Sequence, residues 1–428
     1  HGEANMYYSL PEGGELQLKG YYFYSKRGLP GAVTLYNPVS TETLWDKNAF
    51  MQVKYSRRFS PKWEFKVQGK YNYGWNRDRE HGPQFAGGMY QAVHTQNEYY
   101  LSATAEYSPV TGLSLALAQD GTVNTLSSTM GSCPFPTRYT SLTALTARWR
   151  RGPLTATGTV VGTYITERVR EGTAPEDIKR LSPSLSVSVQ PWKEEMLFLR
   201  GMYKSTFRTP TFNDLYYDRL GNRSLRPERA NEYDLGVTWS GKFCQAMDYF
   251  SVTADGYFNE VTDKIVAFPT TYAWKMANFG KVHVTGVDFT MATAFSLPRG
   301  INVSLSAAYT WQRAVDLTDP EAKNYKEQLP YTPEHSGNMA VTVKSPWVTL
   351  GYSLVGVGKR YYLSQNIPVN EIEGYVEQTV TLGHELSLRG CRLGLRCELV
   401  NLADKQYDVI KYYPMPGRSW RVVANVKF

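Results

Sequence analysis

The run Trp63-Glu64-Phe65-Lys66-Val67-Gln68-Gly69-Lys70-Tyr71-Asn72-Tyr73-Gly74-Trp75-Asn76 decides the reading of this chain. Trp63, Phe65, Val67, Gly69, Tyr71, Tyr73 and Trp75 fall on one face, and Glu64, Lys66, Gln68, Lys70, Asn72, Gly74 and Asn76 on the other. Side chains alternate across a strand, so this is a two-faced strand. It is also longer than the five or six residues usual in soluble sheets. Roughly ten tilted residues are what a strand needs to cross a bilayer. The pattern returns at Ile301 to Gln312, at Cys391 to Leu399, and in the tail, where Trp420, Val422, Ala424, Val426 and Phe428 share a face. Aromatics gather at strand ends, as at Trp63 with Trp75 and Tyr309 with Trp311, the arrangement expected of interfacial girdles.

Connections give an independent signal. Short turns are expected at Pro11 to Gly14, Ser60 to Lys62, Pro109 to Gly112, Arg151 to Pro153, Pro191 to Glu195, Ser240 to Met247, Leu297 to Gly300, Ser345 to Trp347 and Arg389-Gly390. Between them run long connections, about 27–47, 76–97, 120–140, 168–179, 208–231, 264–280, 314–336, 358–374 and 401–418. Short turns on one rim and long loops on the other are the outer-membrane barrel pattern. The fold expected is therefore all-β, a transmembrane antiparallel β-barrel with about 19 strands visible, and residues 1–428 are read as a single barrel domain. Single-chain bacterial barrels have even strand numbers, and the first strand runs into a short turn, so about one or three strands are expected upstream.

Composition agrees. The chain has 428 residues with 32 Tyr, 17 Phe, 10 Trp, 35 Gly and 23 Pro, and only 20% charged residues. That excludes disorder and a coiled coil. No run of apolar residues is long enough for a helical span, and a mean hydropathy of -0.42 suits strands with one wet face. The charge of +8 is spread along the chain, without the basic helix or cluster that nucleic acid requires. A mildly basic outer surface suits outer-membrane lipid and lipopolysaccharide. Four Cys are too few for a disulfide framework, and Cys391 and Cys397 lie about 20 Å apart along one strand. No Cys/His cluster has metal-site spacing, so no catalytic residue, cofactor or resident metal is expected. His384 reads as an interfacial residue beside a turn and His283 as lumenal; neither has a nucleophile motif nearby, which argues against an enzyme.

Two segments resemble a known family. Phe207-Arg208-Thr209-Pro210-Thr211-Phe212-Asn213-Asp214-Leu215-Tyr216, then Gly221-Asn222-Arg223-Ser224-Leu225-Arg226-Pro227-Glu228 and Tyr233-Asp234-Leu235-Gly236, resemble the mid-barrel signature of TonB-dependent outer-membrane receptors. Asn401 to Tyr407, then Pro416-Gly417-Arg418 and the final Phe428, are similar to that family's C-terminal pattern. The resemblance implies about 22 strands, hence three upstream. It also implies a Gram-negative outer-membrane location, and a plug domain and TonB box absent from this sequence, which begins at His1 as a processed chain or fragment. It further implies energised import of a large, scarce nutrient, with the TonB complex as partner through that N-terminal region and a surface lipoprotein as a further candidate. Arg208 and Glu228 would contact plug or partner charges; the plainer reading is a strand-to-loop transition. A passive porin is the rival reading.

For the ligand, the stretch Arg27 to Ala32 with Tyr36-Asn37-Pro38 and Trp45-Asp46-Lys47 is similar to a subgroup linked to cobalamin uptake. A corrinoid is nearly neutral and rich in amides, which suits Tyr, Trp and Asn. The loop candidates are Tyr36, Trp45, His81, Tyr90, His94, Tyr216, Tyr217, Tyr272 and Trp274. The interval Thr211 to Leu220 holds no His, which lowers heme and leaves an iron chelate as the second choice.

Overall fold

The computed structural model describes all residues except 31–39, 84, 193–195, 270–273, 389 and 428. Nineteen strands form one antiparallel sheet. They are β1 Gly2–Leu10, β2 Gly14–Gly28, β3 Thr43–Ser60, β4 Trp63–His81, β5 Met89–Val110, β6 Leu113–Ser128, β7 Thr137–Arg151, β8 Leu154–Arg168, β9 Ile178–Val189, β10 Met196–Arg208, β11 Glu228–Gly241, β12 Met247–Pro269, β13 Trp274–Leu297, β14 Ile301–Asp316, β15 His335–Lys344, β16 Thr349–Val357, β17 Tyr375–Leu388, β18 Cys391–Val400 and β19 Ser419–Lys427. Each pairs with its neighbours in sequence. Among the described residues β1 has only β2 as partner and β19 only β18. The strand count expected from the sequence stands.

Contacts group into two compact units, one of residues 1–187, 203–231 and 263–278, the other of 188–202, 232–262 and 279–428. In the first unit the outward face carries a lower aromatic row, with Trp63 stacked on Tyr107 at 4.5 Å, and an upper one, with Tyr71 against Tyr99 at 5.1 Å. Val67, Leu101, Leu117, Leu145 and Val160 stand exposed between the rows, Leu101 at 63%. The nine residues from Trp63 to Tyr71, tilted, span about 20 Å, near the height of a lipid-facing band. Soluble monomers do not expose so much continuous apolar surface; lipid does cover it. In the second unit Leu235, Val287, Leu350, Leu382 and Val422 are exposed in the same way. Its opposite face is polar and paired: Arg200 binds Asp255 at 2.5 Å and Thr238 at 2.7 Å, and Thr310 donates to Asp288 at 2.6 Å. Among the described residues no helix is long and apolar enough to cross a membrane.

Two expectations change. The long connections are shorter than the alternation suggests: β4 continues to His81 and β5 starts at Met89, and β12 and β13 run for 23 and 24 residues. Beyond the upper aromatic row nothing forces an oily side outward, so alternation fades while the hydrogen-bonded ladder continues. His283 is not lumenal. It shares its face with the exposed Val287 and Phe289, while Val282 and Val284 are buried on the other.

Gly112 closes a short turn with φ of +86°, and a Cβ there would collide with the Arg150 carbonyl, whose own amide donates to Gly112 O at 2.6 Å. Gly112→Ala is expected to cost about 1–2 kcal/mol, read from the urea midpoint of the folded barrel. Leu101→Arg is expected to cost about 2–4 kcal/mol, whereas Gln68→Arg on the other face shifts the midpoint by less than about 0.5 kcal/mol.

Candidate functional site

The signature segment follows β10 and folds back over the long-loop ends of the first unit. Pro210 cannot donate, and the chain turns into a five-residue helix, α1 Phe212–Tyr216. Thr211 caps it: its Oγ1 accepts from Asp214 N at 3.2 Å, and Asp214 accepts from Thr211 N at 2.9 Å, a capping box that satisfies otherwise orphaned donors. Phe212, Leu215 and Tyr216 pack with Leu225 against Leu126, Cys133, Ile265 and Met276. Gly221 is required because a Cβ would lie 2.7 Å from Tyr217 O and 2.8 Å from Leu215 O. Asn222 receives its amide bond from Ser224 and donates to Met276 O at 2.9 Å.

The charges of the signature serve the same anchoring. Arg208 lies 3.7 Å from Glu228 and donates to Ile265 O at 3.2 Å, while Ile265 N donates to Glu228 at 2.8 Å. Arg226 pairs with Asp263 at 2.5 Å. Thus Arg208 and Glu228 join β10, β11 and β12, which supports the plainer of the two readings. Arg138 and Glu167, with side chains only 12% and 4% exposed, pair at 2.8 Å; Arg138 also donates to Pro210 O at 2.8 Å, and the Tyr216 hydroxyl donates to Glu167. Burial, then that hydrogen bond, raises the Tyr216 hydroxyl pKa, so it remains a neutral donor.

Beyond α1 the segment reaches side chains that point inward from β4 and β5, above the upper aromatic row. Tyr217 stacks on His94 with ring centres 3.8 Å apart, and its hydroxyl accepts from Asn76 at 2.8 Å and Gln96 at 3.0 Å. Gln96 also donates to Asn213 at 2.7 Å. His94 is 4% exposed, its Nδ1 has no hydrogen-bond partner, and burial pushes its pKa down to about 4. Arg219, at φ +68°, pairs with Glu80 at 2.7 Å and lies 5.0 Å over the Tyr90 ring. Beside it burial, then the charges of Asp78 and Glu80, pushes the Glu42 carboxyl up to about 7 against Arg219. Burial raises Asp78 too. The result is a rim of phenol and amide groups around paired charges, with the raised Glu42 carboxyl at its edge.

Of the residues singled out in the sequence, Tyr90, His94, Tyr216 and Tyr217 come together here. Trp45 and His81 do not: strand parity turns them outward, and Trp45 is 9% exposed beneath Arg77. Tyr36 and Tyr272 lie outside the described residues, and Trp274 opens β13. Asn76, Gln96, Asn213, Arg219 and Glu42 were missed; Asn76 and Gln96 sit where alternation weakens and reach Tyr217 only through strand pairing, whereas Asn213 and Arg219 lie beside Tyr217 in the signature itself. The 3.6-independent signal that could have found Asn76 and Gln96 is their parity with lumenal Gln68 and Glu98. Because Glu42 titrates higher folded than unfolded, the folded state holds the extra proton between about pH 4.5 and 7, and this contribution to stability is lost as pH rises through 7. A carboxylic-acid infrared band disappearing near pH 7 is expected in the wild type and absent in Glu42→Gln.

The sequence profile described as TonB dependent receptor-like, beta-barrel matches residues 4–399. The chain is 25% identical over 228 residues to the vitamin B12 transporter BtuB of Photobacterium profundum, covering 52% of this chain and 34% of that protein. It is 24% identical over 233 residues to BtuB of Vibrio vulnificus, covering 52% and 33%. The match thus spans about a third of these curated relatives' length. In fold the chain is similar to the unliganded ferric citrate transporter FecA, with a TM-score of 0.75 at 14% identity over 99% of this chain and 69% of that one. It is also similar to BauA, the ferric preacinetobactin receptor of Acinetobacter baumannii, at 0.74 and 11% over 99% and 71%. With its profile matched over nearly the whole length, this chain belongs to the TonB-dependent receptor-like β-barrel family.

Proposed function

We propose that residues 1–428 are the wall of an outer-membrane import receptor energised through TonB, and that its cargo is a corrinoid. Import of this kind needs a lumen-filling segment and a TonB-contacting segment; both are assigned to parts of the receptor other than this wall. The observation that carries the cargo reading is the state of the charges at the mouth. Arg27, Arg138, Arg208, Arg219 and Arg226 each pair with an acid of the chain itself. Around these pairs stand Tyr217, Tyr90, Asn76, Gln96 and Asn213, uncharged groups that match a nearly neutral molecule studded with amides, while Arg223 donates to the Ser132 carbonyl rather than to an acid. A negatively charged iron chelate would ask for cations without partners. The resemblance over half the chain to proteins named as vitamin B12 transporters points the same way.

His94 is stacked and buried, and His81 faces outward, so neither supports an axial ligand for heme or cobalt. A surface lipoprotein over the loops is compatible with this reading and is part of the proposal. Calorimetric titration of the intact receptor with cyanocobalamin, heme and ferric citrate separates the cargoes. Cyanocobalamin is expected to bind at least about a hundredfold more tightly than either, a difference of about 2.7 kcal/mol, and Tyr217→Ala to weaken it about tenfold. Tight ferric citrate binding with none of cyanocobalamin would overturn the cargo and leave the barrel reading intact.

A further inference from the structure

The short-turn ends of both units carry cations on the face turned away from lipid. In the first unit Arg148 and Arg150 share the face opposite the exposed Trp149, about 7 Å apart along β7. With Lys62 they line an open groove of about 530 Å³ between the turn at Pro61 and that from Pro109 to Gly112. The neighbouring acids are taken, Glu64 by Arg58 at 3.1 Å and Lys66 at 2.8 Å, and Glu106 by the Ser114 hydroxyl at 2.7 Å. The second unit repeats the sign. Arg392 lies directly opposite Lys427 across β18 and β19, both on the face away from the exposed Leu395 and Val426. Lys344 stands on the face away from Val343 and the exposed Leu350, and Arg299, at φ +65°, sits in a turn. Glu385, the acid of the adjoining β17, lies opposite Gly394 instead, and Asp248 accepts from Ser296 at 2.8 Å. All seven cations are exposed, and among the described residues none has an acid partner in the chain.

Like charges directly opposite each other destabilise a sheet, and an anion set between Arg392 and Lys427 relieves that repulsion. Strand parity excludes lipid as its source, because Arg148, Arg150, Lys344, Arg392 and Lys427 face the aqueous side. Short turns place them at the periplasmic edge of a barrel. We propose that this edge binds the carboxylate-bearing stem peptides of peptidoglycan, the anionic polymer on that side of the outer membrane. The guanidinium groups of Arg148 and Arg150 take carboxylates through paired hydrogen bonds, and Lys62 adds a third charge to the same groove. The same sign recurs on separate turns in both units, which favours a polymer with carboxylates at regular intervals over one acidic peptide, since a peptide would need a single continuous groove. Each exposed contact is weak, and several made together hold. The inference rests on the membrane orientation of the turns and is independent of the cargo.

The test sediments the intact receptor, held in nanodiscs of zwitterionic lipid, with purified sacculi and with sacculi stripped of their stem peptides by an amidase. The wild type is expected to co-sediment about tenfold more strongly with the unstripped sacculi, and the preference to fall as salt rises. Arg148→Gln with Arg150→Gln is expected to lower retention about threefold, and Arg392→Gln with Lys427→Gln by a similar factor. These side chains have no acid partner in the wall, so the variants are expected to fold, which heat-modifiable electrophoretic mobility reports. If the pair on β18 and β19 does not fold, the pair on β7 decides. Equal retention on both kinds of sacculi, or unchanged retention in the folded β7 variant, overturns the proposal. Stronger displacement by soluble poly-L-glutamate than by soluble peptidoglycan chains of matched carboxylate number overturns it as well, because the edge would then belong to an acidic polypeptide.

Discussion

A strand can cross lipid only if every backbone N–H and C=O on it finds a partner in the sheet, since hydrocarbon offers none and each unpaired group costs several kcal/mol. That requirement lies beneath everything else in this chain. It makes the ladder continuous from β1 to β19, with each strand beside its sequence neighbour. It also inverts the usual distribution of side chains. Leucine and valine stand exposed outside while Arg200, Asp255 and Thr238 form their network within. Once the ladder is fixed, parity decides what each residue meets, so Tyr90 and His94 reach the mouth while Trp45 and His81, on the neighbouring strands, face away.

Membrane-crossing segments were legible in the sequence because lipid imposes a strict rule on alternate residues. Trp63 to Tyr71 shows this, and so do the short turns, where Pro and Gly punctuate. The same reasoning explains the failures. Past Tyr71 no solvent boundary polices alternation, and the upper parts of β4, β5, β12 and β13 were read as loop although their ladder continues. His283 was placed inside because its neighbours Lys281 and Thr285 are polar, yet those residues stand above the membrane, where polarity does not distinguish inward from outward.

The candidate site was legible only in part. Tyr216 and Tyr217 could be singled out because the signature is local in sequence. Their partners Glu167, Asn76 and Gln96 come from strands 49, 141 and 121 residues away, and nothing in a linear pattern reports such a meeting. Glu42 is the extreme case: an ordinary glutamate in sequence, it is kept from ionising at moderate acidity by burial beside Asp78 and Glu80.

The anchoring of the signature segment has a consequence for diversification. Its capped helix, its apolar underside and the ion pairs of Arg208, Arg219 and Arg226 are satisfied by the scaffold itself, so the segment works as a rivet that leaves neighbouring loops free to vary. A neighbouring loop can therefore change in length or composition while the rivet, and the strand ends it holds, stay as they are.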